Sequence, residues 1–179
     1  VLDGTVCTTN TPCDNDRKKA MNSGKHHMVC LKYDRAVSIV HGRICWVGGP
    51  VPGAQHDLRL LREGGLLDML EIGEKMLADA GYVAADLEWA LVVPTKCKRG
   101  QRKEDLPPEV QDRNKKIQTL RSIVEHVIGR VKRFKILTYP FRNRLELHER
   151  FFYVACMLTN IDLGENPIRR VIPHPFIAP

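Results

Sequence analysis

Two rhythms of apolar and polar positions run along the chain. In the first half the pattern is short and alternating, as strands require, and turn residues punctuate it. Val1-Leu2-Asp3-Gly4-Thr5 reads as the last part of a strand followed by a turn, with the earlier strand residues absent. The Asx-rich stretch from Asn10 to Asn22 reads as a polar loop. His26 to Tyr33, Ala36 to His41 and Ile44 to Val47 are predicted as three strands. Asp34-Arg35 and His41-Gly42-Arg43 form the turns between them, which makes an antiparallel meander. Gly48-Gly49-Pro50-Val51-Pro52-Gly53 can be neither helix nor central strand and is expected to be a loop. Asp57 is placed to cap a helix beginning Leu58-Arg59-Leu60-Leu61, which Gly64-Gly65 breaks, and a short helix through Met69-Leu70 follows. Lys75 to Asp79 and Ala90 to Val93 are two further strands, the second stopped by Pro94.

In the second half the period becomes helical. Pro108-Glu109 opens a helix running to about Phe134, and a proline and an acid suit its first turn. Its apolar stripe is Ile117, Leu120, Val124, Val127, Ile128, Val131 and Phe134. A second helix, from about Leu145 to Ile161, carries Leu147, Phe151, Val154, Ala155, Leu158 and Ile161 on the face expected to meet the core. The element order predicts an α/β fold: a ribonuclease-H-like mixed sheet, built from the three-strand meander plus two further strands, with flanking helices and a truncated N-terminal strand. The domain is expected over residues 1–165, with a Pro-rich extended tail over 166–179.

Composition adds limits to this picture. The chain has 179 residues, enough for one domain with a substantial core, and no apolar run reaches the ~18–20 residues of a membrane span. Cys30, Cys45 and Cys156 lie in apolar runs and are expected to be small core residues, with all six cysteines reduced. Cys7 and Cys13 with His26 or His27 match no common zinc spacing. Charge is uneven: residues 1–94 carry a balance of −2 and residues 95–179 one of +9. Lys96, Lys98, Arg99, Arg102 and Lys103 crowd one loop, and Arg130, Lys132 and Arg133 follow on the long helix. A basic surface of that kind suits a polyanion, or is a solvated face that only keeps the protein in solution.

Three carboxylates stand out by their settings. Asp3 and Asp79 sit at predicted strand ends, on strands that can lie side by side, and Glu125 lies mid-helix beside the apolar stripe. Hard oxygen donors of this kind suit Mg²⁺ or Mn²⁺. Two such ions can activate a water and stabilise the leaving oxygen of a phosphodiester. Arg121 lies four residues before Glu125 and could instead form a plain surface pair with it. Gly129, one turn beyond Glu125, is read as letting the helix approach the sheet. Asp57 and His56 are accessory candidates, the first competing with a capping role and the second with a loop hydrogen bond.

Taken together, several short stretches resemble the DDE endonuclease domain of PIF/Harbinger-type transposases and their domesticated relatives. They are Leu2-Asp3-Gly4-Thr5, Ser23-Gly24-Lys25-His26-His27, Pro52-Gly53-Ala54-Gln55-His56-Asp57, Asp79-Ala80-Gly81-Tyr82, Arg121-Ser122-Ile123-Val124-Glu125 with Gly129 to Phe134, and Ala155 to Asn160. They stand in the family's order. The resemblance implies a ribonuclease-H-like fold, a catalytic triad of Asp3, Asp79 and Glu125, and two Mg²⁺ or Mn²⁺ ions. It also implies strand cleavage and transfer at transposon ends, a nuclear location, and a Myb-like DNA-binding partner protein. The chain departs from the family in lacking the N-terminal helical region, in Thr159 where histidine is usual, and in Ala54 where serine is usual. With so little chain before it, Asp3 is expected to sit on a fraying strand and to bind metal weakly. A non-catalytic domain that binds nucleic acid or protein is the alternative. A phosphatase of small phosphoesters fits less well, because the basic excess is broad and no Gly-rich phosphate loop is present.

Overall fold

The computed structural model describes residues 1–168, so most of the predicted Pro-rich tail lies outside the described residues. The first half builds an antiparallel sheet from β1 (Leu2–Thr8), β2 (Asn22–Ser23), β3 (Met28–Val37) and β4 (Ile44–Pro52). β3 is its backbone, pairing with β1, β2 and β4. Asp34 and Arg35 do not turn. They continue β3, where Asp34 pairs with Gly4 and Gly48 and Arg35 with Asp3 and Val47. Turn propensity is a local preference, and a strand with neighbours on both sides overrides it. The actual reversal lies at residues 38–43, where Gly42 takes a positive φ of 65°.

β1 likewise differs from its expectation. Asp3 is near the start of the strand, and pairing continues to Thr8 opposite Cys30. The chain's first residue is held as well: the Val1 ammonium donates to Val37 O at 2.8 Å, and Leu2 is fully buried. The strand carrying Asp3 is therefore paired along its length. Within the expected polar loop, α1 (Asn15–Met21) forms because the Asp14 carboxylate accepts from Arg17 N at 2.7 Å, a regular N-cap.

The stretch expected as a loop from Gly48 is instead strand to Pro52, on the outer side of β3, and within it Gly49 permits a close pass. Its φ is +100°, and a Cβ there would sit 2.6 Å from Lys32 O. Next comes α2 (Asp57–Glu63), whose N-cap is His56 and not Asp57: His56 Nδ1 accepts from Leu58 N at 3.3 Å. The expected short helix near Met69 is a single 3₁₀ turn, Leu67–Met69. β5 (Met76–Leu77) and β6 (Leu91–Val92) are parallel and pair only with each other. The single mixed sheet expected from sequence is thus seen as an antiparallel sheet and a separate parallel pair. Two-residue strands offer too little backbone to extend the ladder. Side chains join the two instead, since Leu2 and Ala36 share a buried cluster with Leu61, Met76, Ala78 and Leu91.

The opposite face of the sheet is covered by α3 (Pro108–Val131), α4 (Lys135–Thr138) and α5 (His148–Glu165). Ile117, Ile123, Val124, Val127 and Val131 are the buried side chains of α3, close to the predicted stripe. Gly129 has nothing within 4 Å of where a Cβ would stand, so no close approach requires it. On α5 the expected face is reversed except at Ala155. His148, Phe152, Ala155, Cys156, Thr159 and Leu163 are buried, while Leu147, Phe151, Val154, Leu158 and Ile161 are exposed. Asn160 fastens this helix to β4, its side chain both donating to Ile44 O and accepting from Ile44 N at 2.8 Å. Cys45, expected in the core, is exposed, whereas Cys30 and Cys156 are buried.

Aromatic stacking ties β3 to α5. The Phe152 ring stacks on Tyr33 at 3.8 Å, and the Tyr33 hydroxyl shares a 2.7 Å hydrogen bond with His148 Nδ1. Burial, with Lys132 nearby, pushes the His148 imidazolium down to about 4. The folded state thus keeps His148 neutral while an unfolded chain takes up a proton near the ordinary value of ~6.5. The stability linked to His148 is present above about pH 6.5 and lost as pH falls through about 4. As pH falls across that window, urea denaturation should show the original protein losing stability relative to a His148→Gln variant by an amount on the order of 3 kcal/mol.

Candidate active site

Burial and charge meet where α3 crosses the start of β1. Asp3 lies directly across the ladder from Arg35, on the face that α3 and α5 cover. From α3, Arg121 reaches toward the same place. Its Nη1 donates to Asp79 Oδ1 at 3.3 Å, and its Nη2 is 3.8 Å from Asp3 Oδ1. One guanidinium therefore bridges acids from two separate elements. Side-chain exposures of 24% for Asp3 and 45% for Asp79 leave both carboxylates open to a ligand. Burial pushes the Asp3 carboxyl up, and Arg121 and Arg35 pull it back. The Arg35 guanidinium is wholly buried, lies 5.7 Å over the Phe152 ring, and has no hydrogen-bond partner among the described residues. Burial lowers its pKa, opposed by Cys156 and Asp3.

A second group of polar residues lines the other side of β1, in a cleft of about 280 Å³ that also takes in Asp3 and Asp79. Asp34 is buried here and accepts from the Tyr82 hydroxyl at 3.0 Å. Burial pushes its carboxyl up to about 7, with the Tyr82 hydrogen bond pulling the other way. Gly4 gives this pair its room, because a Cβ there would stand 3.0 Å from Asp34 Oδ1. Asp57 is engaged with Lys32 at 3.0 Å, and Lys32 also donates to Gln55 O at 2.8 Å. His56 is exposed and occupied as a cap. Sequence patterning missed Asp34, Arg35, Lys32 and Tyr82. The continuous pairing of β3 would have exposed the first two, but Asp-Arg in isolation reads as a turn.

Glu125 stands apart. It is exposed on α3, one turn beyond Arg121, and lines a different groove of about 550 Å³ between α3 and the loop after β6. Among the described residues no three His, Cys, Asp or Glu side chains come together as metal ligands. Asp3 and Asp79 are brought together by Arg121, and Glu125 is not brought to them. Lys96, Lys103 and Lys115 line the groove beside Arg121 and Glu125. Lys96, Lys98, Arg99, Arg102 and Lys103 are all exposed. Of Arg130, Lys132 and Arg133, only the first lies on α3, where it pairs with Asp162 at 2.9 Å, and Arg133 is exposed beyond the helix end. Lys132 is tied inward, donating to Val6 O, Leu137 O and Cys7 Sγ.

The family model described as DDE superfamily endonuclease matches residues 2–160. The chain belongs to this family. Two curated relatives are named as transposases. That for insertion sequence element IS112 of Streptomyces albus G is 30% identical over 138 residues, covering 76% of this chain and 48% of that protein. That for insertion sequence element IS702 of Microchaete diplosiphon is 31% identical over 148 residues, covering 80% of this chain and 50% of that protein. The chain thus spans about half the length of the curated relatives it matches. No solved structure matches it. Endonucleases of the DDE family usually use divalent metals. The chemistry here suits such an ion in part. Asp3 and Asp79 are hard oxygen donors already facing one cationic group, as a cation site requires, and the third carboxylate is absent from their company.

The Asp34–Tyr82 pair offers a direct check on the charge state of this cleft. Removing the hydroxyl leaves a buried carboxylate without its donor, which costs about 1–3 kcal/mol when the acid is ionised. Because burial raises the Asp34 pKa to about 7, the acid is protonated at pH 5 and ionised above pH 7. Tyr82→Phe should therefore destabilise the protein more at pH 8 than at pH 5, as read by chemical denaturation at the two pH values.

Proposed function

We propose that this chain is the catalytic domain of a transposase that cleaves DNA phosphodiester bonds, built on a ribonuclease-H-like sheet. The observation that carries the reading is the convergence of Asp3 and Asp79 on the Arg121 guanidinium, next to a groove flanked by exposed lysines and arginines. Membership of the DDE superfamily endonucleases and two relatives named as transposases support it.

In this reading Asp3 and Asp79 hold the metal, and Glu125 completes the triad from α3. Two Mg²⁺ or Mn²⁺ ions, when bound, would supply activation of the attacking water and stabilisation of the leaving oxygen. The chain's own residues do the rest. Arg121 neutralises the paired acids. Arg35, beneath Asp3, adds a second positive charge that favours the ionised carboxylate. Lys96, Lys98, Arg99, Arg102, Lys103 and Arg133 contact phosphates and fix the position of the strand without reading bases. Arg130 and Lys132 hold α3 to α5 and to β1 through the contacts they already make. The finer assignment to the PIF/Harbinger type, with its Myb-like partner and nuclear location, rests on the order of the sequence motifs.

One observation favours the alternative of a non-catalytic nucleic-acid or protein interaction module: Glu125 is not gathered with the two aspartates. A plasmid nicking assay with Mn²⁺ separates the two. The expected result is nicking that falls about 100-fold in Asp79→Asn. No nicking by a folded protein that still binds DNA would favour the interaction module. Under both readings DNA affinity should fall with a log–log salt slope of about −5 for about six phosphate contacts. Binding insensitive to salt would remove DNA from the account.

A further inference from the structure

The outward side of α5 is as apolar as the side it buries. Val154 is 51% exposed, and Met157 and Ile161 are each 66% exposed, with Phe151 and Leu158 alongside. At about 100° per residue these five fall within a sector roughly 120° wide, opposite the buried face. Scattered exposed apolar residues need no explanation, but a contiguous patch on one helix marks an interaction surface. A helix that is apolar all round is normally covered all round.

The order of residues along this face points to what covers it. Consider a second copy of α5 packed antiparallel, with a two-fold axis passing between Met157 and Leu158. Val154 then faces the partner's Ile161, and Met157 faces the partner's Leu158. Phe151, whose ring meets Phe141 edge-on within the chain, and Gly164, beside the Arg43 guanidinium, flank this apolar centre. At each end Arg150 faces the partner's Glu165. Arg150 and Glu165 are both exposed, and neither forms an ion pair among the described residues. Apolar side chains therefore meet apolar ones and opposite charges meet at the ends under one symmetry operation, as an isologous interface requires. Tyr153 stays outside this face, its hydroxyl donating to Val47 O at 3.1 Å within the chain.

We propose that the exposed face of α5 is a two-fold interface between two copies of this chain. It lies on the helix away from the acids of the active site and does not depend on their role. Sedimentation of the 179-residue chain should give twice its 20.4 kDa mass at micromolar concentration. Met157→Glu should give a monomer with an unchanged far-ultraviolet circular dichroism spectrum. Arg150→Glu and Glu165→Arg should each weaken dimerisation about tenfold, because each places like charges face to face. The double exchange Arg150→Glu with Glu165→Arg should restore it to within about threefold of the original. A monomeric original protein would overturn the proposal, as would a dimer unaffected by Met157→Glu. A double exchange no better than the single ones would overturn the antiparallel pairing.

Discussion

Two carboxylates from different parts of the chain can share a partly buried site only if a positive charge stands with them. Here that charge is Arg121, set between Asp3 and Asp79. Much of the architecture serves this placement. β3 holds β1 along its length and so fixes Asp3. The short parallel pair β5–β6, packed through Leu2 and Ala78, brings Asp79 alongside. The buried stripe of α3 presses that helix on the sheet and aims Arg121 at both acids. Arg35 adds a second, fully buried cation on the same side.

Under the proposed function, such a site exchanges one cation for another. A guanidinium held at 3.3 and 3.8 Å makes modest contacts, and the carboxylates keep exposed surface. Divalent ions offer the same acids a stronger partner, with hard oxygen donors and room for water. The Arg35 guanidinium, by contrast, is fully buried over the Phe152 ring, with no hydrogen-bond partner among the described residues. Its charge, after that of Arg121, opposes the upward push of burial on the Asp3 carboxyl. Groove, basic loop and acids then share one side of α3.

What the amino-acid pattern disclosed followed the strength of its periodicity. The stripe Ile117 to Val131 has a helical period over several turns, and α3 appears where it predicts. Asp3 and Asp79 were legible because each interrupts a run of apolar residues. Other features depend on partners far away in sequence. Asp34-Arg35 reads as a turn until Asp3, Gly4, Val47 and Gly48 are known to flank it. Asp57 suits a cap by composition, but His56 takes the role and Asp57 meets Lys32 from another strand. On α5 both faces are apolar, so the pattern alone could not say which one meets the core. The stripe with the cleaner period proved to be the outer one. Glu125 was legible as a position on α3, whereas its distance from the acids depends on how that helix crosses the sheet.

The central claim is that Asp3 and Asp79 form one cation site. Calorimetric titration of Mn²⁺ into the folded chain, compared with Asp3→Asn and Asp79→Asn, tests it most directly. The account predicts saturable binding that weakens at least about tenfold in each variant, since each removes one of two ionised ligands. Equal Mn²⁺ affinity in the original protein and in both variants, with the fold intact, would contradict it.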